Sequence, residues 1–252
     1  MSDNEIVNKA IRLCEALKST GVEFRLFGSC AIRLRCKTST GILDRLNRHP
    51  KDIDGVVLLA GRNRLRAMLL DSGWEDDIQL MAQTDGQQMR FLHAQDRIVL
   101  DVSVDALRYC QTLDVRGRFG LDWPTLPLAD LLLSKLQIHE LATNDVVDIL
   151  ALVSAFEASE LDDCSPHLSR VVSIASHSWR WYKSLTHSLS AAADAITSAQ
   201  FRLNHDERSL IGSRIQMIQR TLITAPRTMS WQLRAMFGNV VPWYDQVDRN
   251  PT

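Results

Sequence analysis

Apolar residues recur at helical spacing over residues 4–20, where Ile6, Val7, Ala10, Ile11, Cys14 and Leu17 share one face behind Asp3 and Asn4. An Asp or Asn just before such a run is an N-cap signal. The period then shortens. Residues 22–27 and 52–59 are short runs rich in Val, Ile, Leu and Phe, which predict strands. Between them, Gly28-Ser29 leads into a helical start through Ala31, Ile32 and Leu34, and residues 62–70 predict another helix. Residues 89–92 and 97–104 flank the polar Ala94-Gln95-Asp96, the pattern of a hairpin. Beyond Pro124 and Pro127 the spacing turns helical: 128–142, then 145–156 capped by Thr143 or Asn144, then about 167–197 and 206–222. A polar break falls at 161–166, and Trp231, Trp243 and Tyr244 mark the tail. The expectation is α+β followed by an all-α C-terminal half, divided as 1–125 and 126–252.

Composition narrows the function classes. Lys+Arg is 29 against 30 Asp+Glu, so the net charge of −1 argues against bulk electrostatic binding of nucleic acid. No apolar run approaches the roughly 20 residues of a membrane span. The polar, acidic start Met-Ser-Asp-Asn-Glu is unlike a secretory leader. Cys14, Cys30, Cys36, Cys110 and Cys164 are scattered, with no Cys-x-x-Cys among them. They read as reduced thiols of a cytoplasmic protein. No His-Glu-x-x-His, Walker A or Gly-x-Gly-x-x-Gly pattern occurs. Trp179, Trp181 and Tyr182 beside Arg180 and Lys183 fit a core stripe with a solvated face better than a base-stacking platform.

Three short motifs carry chemistry. In Lys51-Asp52-Ile53-Asp54-Gly55, strand alternation puts Asp52 and Asp54 on one face, with Cα atoms roughly 6.5–7 Å apart. Two carboxylates so placed repel, and their hard oxygens suit Mg²⁺ unless the strand end simply frays into solvent. Phe27-Gly28-Ser29 is a strand meeting Gly-Ser at the mouth of a helix. Free N–H groups there can take a phosphate, although a plain turn with a Ser cap has the same pattern. Asp101 sits inside the apolar run 98–104. Burying it costs several kcal/mol unless it meets a metal or a nearby Arg. Three acids on neighbouring strands would suit two metal ions. Lys135 falls within the apolar stripe of the helix at 128–142, where an ammonium needs a triphosphate or Asp148 as partner, or must snorkel to water. Asp145 suits the first turn of its helix, and Asp148 lies deeper. Arg33, Arg35 and Lys37 follow the Gly-Ser turn, as phosphate contacts or as exposed helix charges.

In order and type, these motifs resemble the DNA polymerase β-like nucleotidyltransferase superfamily: Phe27-Gly28-Ser29, then Asp52-Ile53-Asp54-Gly55, then Asp101. Two departures stand out. Gly28 and Asp52 are 24 positions apart, a longer interval than the family pattern has, so 37–50 reads as an inserted loop. Gly55 stands where the pattern has a hydrophobic residue. The helix carrying Lys135, followed by Asn144-Asp145-Val146-Val147-Asp148, is similar to the AbiEii-type branch, a group of toxin-like and uncharacterised bacterial nucleotidyltransferases.

The resemblance spans residues 20–155. It implies a mixed sheet flanked by helices, with the helical half completing the active-site cleft. It implies an enzyme that moves a nucleoside monophosphate from a nucleoside triphosphate, ATP or another, to a hydroxyl of a small molecule, tRNA end or protein, releasing pyrophosphate. Asp52, Asp54 and Asp101 would hold Mg²⁺ or Mn²⁺, with Asp101 also a base. Gly28, Ser29, Arg33 and Lys135 would bind the nucleotide. Lys135 and Asp148 would join the catalytic set, Asp148 orienting Lys135 or serving as a base. The rival reading is a non-catalytic nucleotide-binding or regulatory module on the same fold.

Overall fold

The computed structural model describes residues 2–37, 40–156 and 166–246. Helix α1 (Asp3–Ser19) opens on a capping box one residue earlier than expected. The Ser2 hydroxyl accepts from the Glu5 amide, and the Glu5 carboxylate accepts from the Ser2 amide. Strand β1 (Phe24–Phe27) runs directly into α2 (Gly28–Arg35), and α3 (Thr40–Arg45) follows. Next come β2 (Ile53–Val57), α4 (Arg62–Asp71), β3 (Trp74–Asp76), α5 (Ile78–Gln83), β4 (Gln88–His93) and β5 (Val99–Val104). β6 (Ala106–Arg108) and β7 (Thr112–Asp114) form a separate two-stranded sheet. The remainder is helical: α6 (Leu128–Leu136), α7 (Thr143–Ala155), α8 (Pro166–His177), α9 (Trp179–Thr197), α10 (His205–Thr224) and α11 (Met229–Met236). The α+β class expected from the sequence is what the chain adopts. Among the described residues no helix is long and apolar enough to cross a membrane.

The main sheet has the order β1-β2-β5-β4-β3, with β2 parallel to β5 and the other pairs antiparallel. Period-two alternation sorts its side chains. Leu26, Ile53, Leu100, Val102, Met89 and Phe91 are buried on one face. Asp54 and Asp101 alternate with them and so point to the other. Gly55 has a packing reason to lack a side chain. A Cβ there would overlap the buried Phe24 ring, so the aromatic fills the volume a larger residue would need. Gly55→Ala should therefore destabilise the protein by about 1–3 kcal/mol in urea melts. Adding Phe24→Leu should restore part of that loss, and a melt unchanged by Gly55→Ala would show that the ring yields freely.

The chain forms two compact units. One comprises Met1–Arg35, His49–Arg108 and Leu113–Pro127, and contains the five-stranded sheet. The other comprises Cys36–Arg48, Tyr109–Thr112 and Leu128–Thr252. The stretch expected to be an inserted loop thus contains α3, which packs on α7 with Ile42 and Leu43 buried.

Several boundaries differ from expectation, each with a local cause. The helix expected to reach residue 142 ends at Leu136. The carbonyls of Ile138 and His139 accept instead from Ser188 and His187 of α9, at 3.0 and 3.1 Å. The helical stretch at 167–197 breaks at Ser178, whose hydroxyl caps α9 by accepting from the Trp181 amide. The polar break at 161–166 and Cys164 lie outside the described residues, apart from the backbone of Pro166. Trp179 and Trp181 are buried on α9, and Lys183 and Arg234 lie over the Trp179 ring, with the Lys183 Nζ 5.9 Å and the Arg234 Cζ 4.4 Å from its centroid. That is a core stripe with cation–π contacts. Cys14, Cys30, Cys36 and Cys110 are buried, and burial pushes the Cys14 pKa up to about 12. They pack rather than react.

Candidate metal centre

Asp52 immediately precedes β2 and Asp54 lies within it, two positions on, the spacing that strand alternation places on one face. The parallel register sets Asp54 beside Asp101 of β5. Carboxylate oxygens of Asp52, Asp54 and Asp101, one from each, all lie within 4.8 Å of one another, and the three side chains are half-buried. No other such trio of His, Cys, Asp or Glu occurs among the described residues. Oxygens sharing one Mg²⁺ at about 2.1 Å stand about 3–4 Å apart, so small side-chain rotations would close these three on an ion.

The Gly-Ser turn lies against this group. Phe27, the last residue of β1, pairs with Asp54. Gly28 follows with φ +64°, and a Cβ on it would lie 2.6 Å from the Asp54 carboxyl carbon. Both the backbone conformation and the space demand glycine. Ser29 is 7 % exposed, and its hydroxyl has no hydrogen-bond partner. An orphaned buried hydroxyl costs about 1–3 kcal/mol, which a ligand oxygen would recover. The N-terminus of α2 directs N–H groups the same way along the chain. The Cys30 thiol donates to the Asp52 carbonyl at 3.4 Å, fastening the turn to the carboxylate loop.

Arg90 was not visible as a site residue in the sequence. The β4–β5 register sets it opposite Asp101. Its Nε donates to Asp101 Oδ1 at 2.7 Å and its Nη2 to Oδ2 at 3.0 Å. This is the arginine salt bridge that stood as the alternative explanation for Asp101. The hydrogen bond to Asp101 lifts the guanidinium pKa, and the charges of Asp101, Asp77 and Asp52 add to it.

The remaining candidates form ion pairs of their own. Arg33, in the sheet-bearing unit, pairs with Asp3 at 3.0 Å. Lys135 and Asp148 meet each other in the helical unit, Nζ to Oδ2 at 2.9 Å, and Asp145 Oδ1 lies 3.2 Å from the same Nζ. Arg48, also unforeseen, grips Asp148 with Nε and Nη2 at 2.8 and 2.9 Å. Asp148 is the centre of this network, its side chain 1 % exposed. Burial opposes its charge, yet Lys135 and Arg48 outweigh that and hold its pKa below the usual carboxylate range. Burial likewise opposes the charge on Lys135, and Asp148 and Asp145 outweigh it to hold that pKa above the usual lysine value. Asp145 also accepts from the Ala142 amide at 3.1 Å, capping α7. Lys135 meets Asp148, one of the two partners expected for its ammonium.

In comparisons with known proteins, no protein-family model matches the chain and no curated protein matches it.

Proposed function

We propose that this protein is a divalent-metal-dependent nucleotidyltransferase of the polymerase β-like fold. What carries the proposal is the convergence of Asp52, Asp54 and Asp101 beside a turn in which Gly28 admits no side chain and the Ser29 hydroxyl is orphaned. The three aspartates would hold Mg²⁺ or Mn²⁺, which supplies Lewis-acid polarisation of the reacting phosphate and lowers the pKa of the acceptor hydroxyl. The Ser29 hydroxyl and the N–H groups at the start of α2 would receive oxygens of the triphosphate. Asp101 would take the acceptor's proton as its oxygen bonds to the α-phosphorus. The bond from that phosphorus to the bridging oxygen then breaks, and pyrophosphate leaves. Arg33 and Lys135 each meet a carboxylate, so either would have to share or leave that partner to contact a phosphate.

One observation favours the rival reading of a non-catalytic nucleotide-binding module: Arg90 engages both oxygens of Asp101. Incubation with Mg²⁺, each α-labelled nucleoside triphosphate and acceptor pools of RNA, protein and small molecules separates the two. Metal-dependent transfer of label with pyrophosphate release is the expected result. Metal-dependent nucleotide binding without transfer to any acceptor would support the module. Neither binding nor transfer would sink both.

A further inference from the structure

We infer that Arg90 is a resident stand-in cation that competes with a divalent ion for the charge of Asp101; this rests on the metal-site proposal above. The guanidinium occupies both oxygens of Asp101 in a planar fork. Each Asp101 oxygen keeps a second lone pair, so an ion that ligates Asp101 must either displace the guanidinium or sit close beside it. Arginine cannot relieve the conflict by losing its proton. Like charges so close repel, so guanidinium and ion each weaken the other's hold on Asp101.

The geometry makes this exchange easy. Arg90 projects from β4, whose backbone is fixed by pairing with β5, while its side chain is 44 % exposed and that of Asp101 31 %. An ion pair this open to water is weak, so the side chain can swing into solvent at small cost while the strands stay in place. Asp77 and Asp52 add to the field that holds the guanidinium. The three carboxylates therefore bind an ion less tightly than they would alone, because the guanidinium already neutralises part of the Asp101 charge and an ion must displace it or sit beside it.

Titration with Mn²⁺, read from the electron paramagnetic resonance of the free ion, tests this directly. Arg90→Gln should bind Mn²⁺ about 3–10-fold more tightly than wild type, the worth of an exposed ion pair plus the like-charge repulsion it removes. Arg90→Lys keeps the charge without the fork and should fall between them. It also guards against a glutamine variant that fails to fold. In an Asp101→Asn background, Arg90→Gln should give a clearly smaller gain, because the residue contested is gone and only the like-charge repulsion remains to be removed. An equal gain in that background would overturn the proposal, since the effect would then be a diffuse field rather than competition for Asp101. So would an Arg90→Gln variant that binds no more tightly than wild type while Asp101→Asn weakens binding. In that case Arg90 positions Asp101, and the metal site itself stands. Absence of Mn²⁺ binding in wild type and Arg90→Gln alike would remove the site and the proposal together.

Discussion

Asp54→Asn should abolish metal-dependent label transfer, by about 10³-fold or more, and strip the protein of tight Mn²⁺ binding. Asp54 is the middle of the cluster. It lies beside Asp101 in the register, shares its strand face with Asp52, and abuts the Cα of Gly28. Asparagine keeps the shape and removes the charge, so loss of activity cannot be put down to a hole in the fold. In metal-free buffer the variant should melt no lower than wild type, because it relieves repulsion among three half-buried carboxylates. Transfer at wild-type rate, or a fall in thermal stability of several degrees, would show that Asp54 serves the fold rather than the chemistry.

Asp148→Asn should have the largest effect on stability, a loss of about 3–5 kcal/mol, because it leaves two cations largely buried without their shared anion. Lys135 and Arg48 side chains are only 15 % and 14 % exposed. At roughly 2–4 °C per kcal/mol for a chain of this size, the melting temperature should fall by about 6–20 °C in calorimetry. The pH dependence follows from the directions of the two shifts. The Asp148 pKa is depressed, so its contribution is complete above the unfolded value of about 4 and is lost as pH falls below it. The Lys135 pKa is raised, so its contribution is complete below about 10.5 and is lost as pH rises beyond that. Wild type should therefore hold a plateau between about pH 5 and 9.5, whereas Asp148→Asn should lose most of its acid flank. A loss under about 1 kcal/mol would mean that Lys135 and Arg48 reach water and need no partner.

How much of this was legible beforehand depends on the range of the interaction. The carboxylate strand, the glycine turn and the hairpin are local patterns, and each sits where the alternation put it. The expectation that Asp101 would stand next to the Asp52–Asp54 strand is matched by the parallel pairing of β2 with β5. Arg90 was not legible because hairpin register decides its partner. The turn closes with His93 donating to Ile98, which sets Arg90 against Asp101, and a slip of one residue would set it against Leu100 on the opposite face. Arg48 was missed for a different reason. It lies in a stretch with weak periodicity that reads as loop, and its partner is 100 residues away. Lys135 was legible in part: its place in an apolar stripe called for an anion, and the fold supplies Asp148 and Asp145.

The interval between Gly28 and Asp52 bears on how this protein can be divided. Residues 36–48 leave the sheet-bearing unit and return to it between the glycine turn and the metal strand, with Ile42 and Leu43 buried and Arg48 locked onto Asp148. A fragment ending at Pro127 would keep every proposed metal ligand yet strand those two apolar residues and an unneutralised guanidinium in water. Recombination of this chain with others would succeed at cuts near residues 35 and 49 together with 127, and a single exchange at the midpoint would yield an insoluble product.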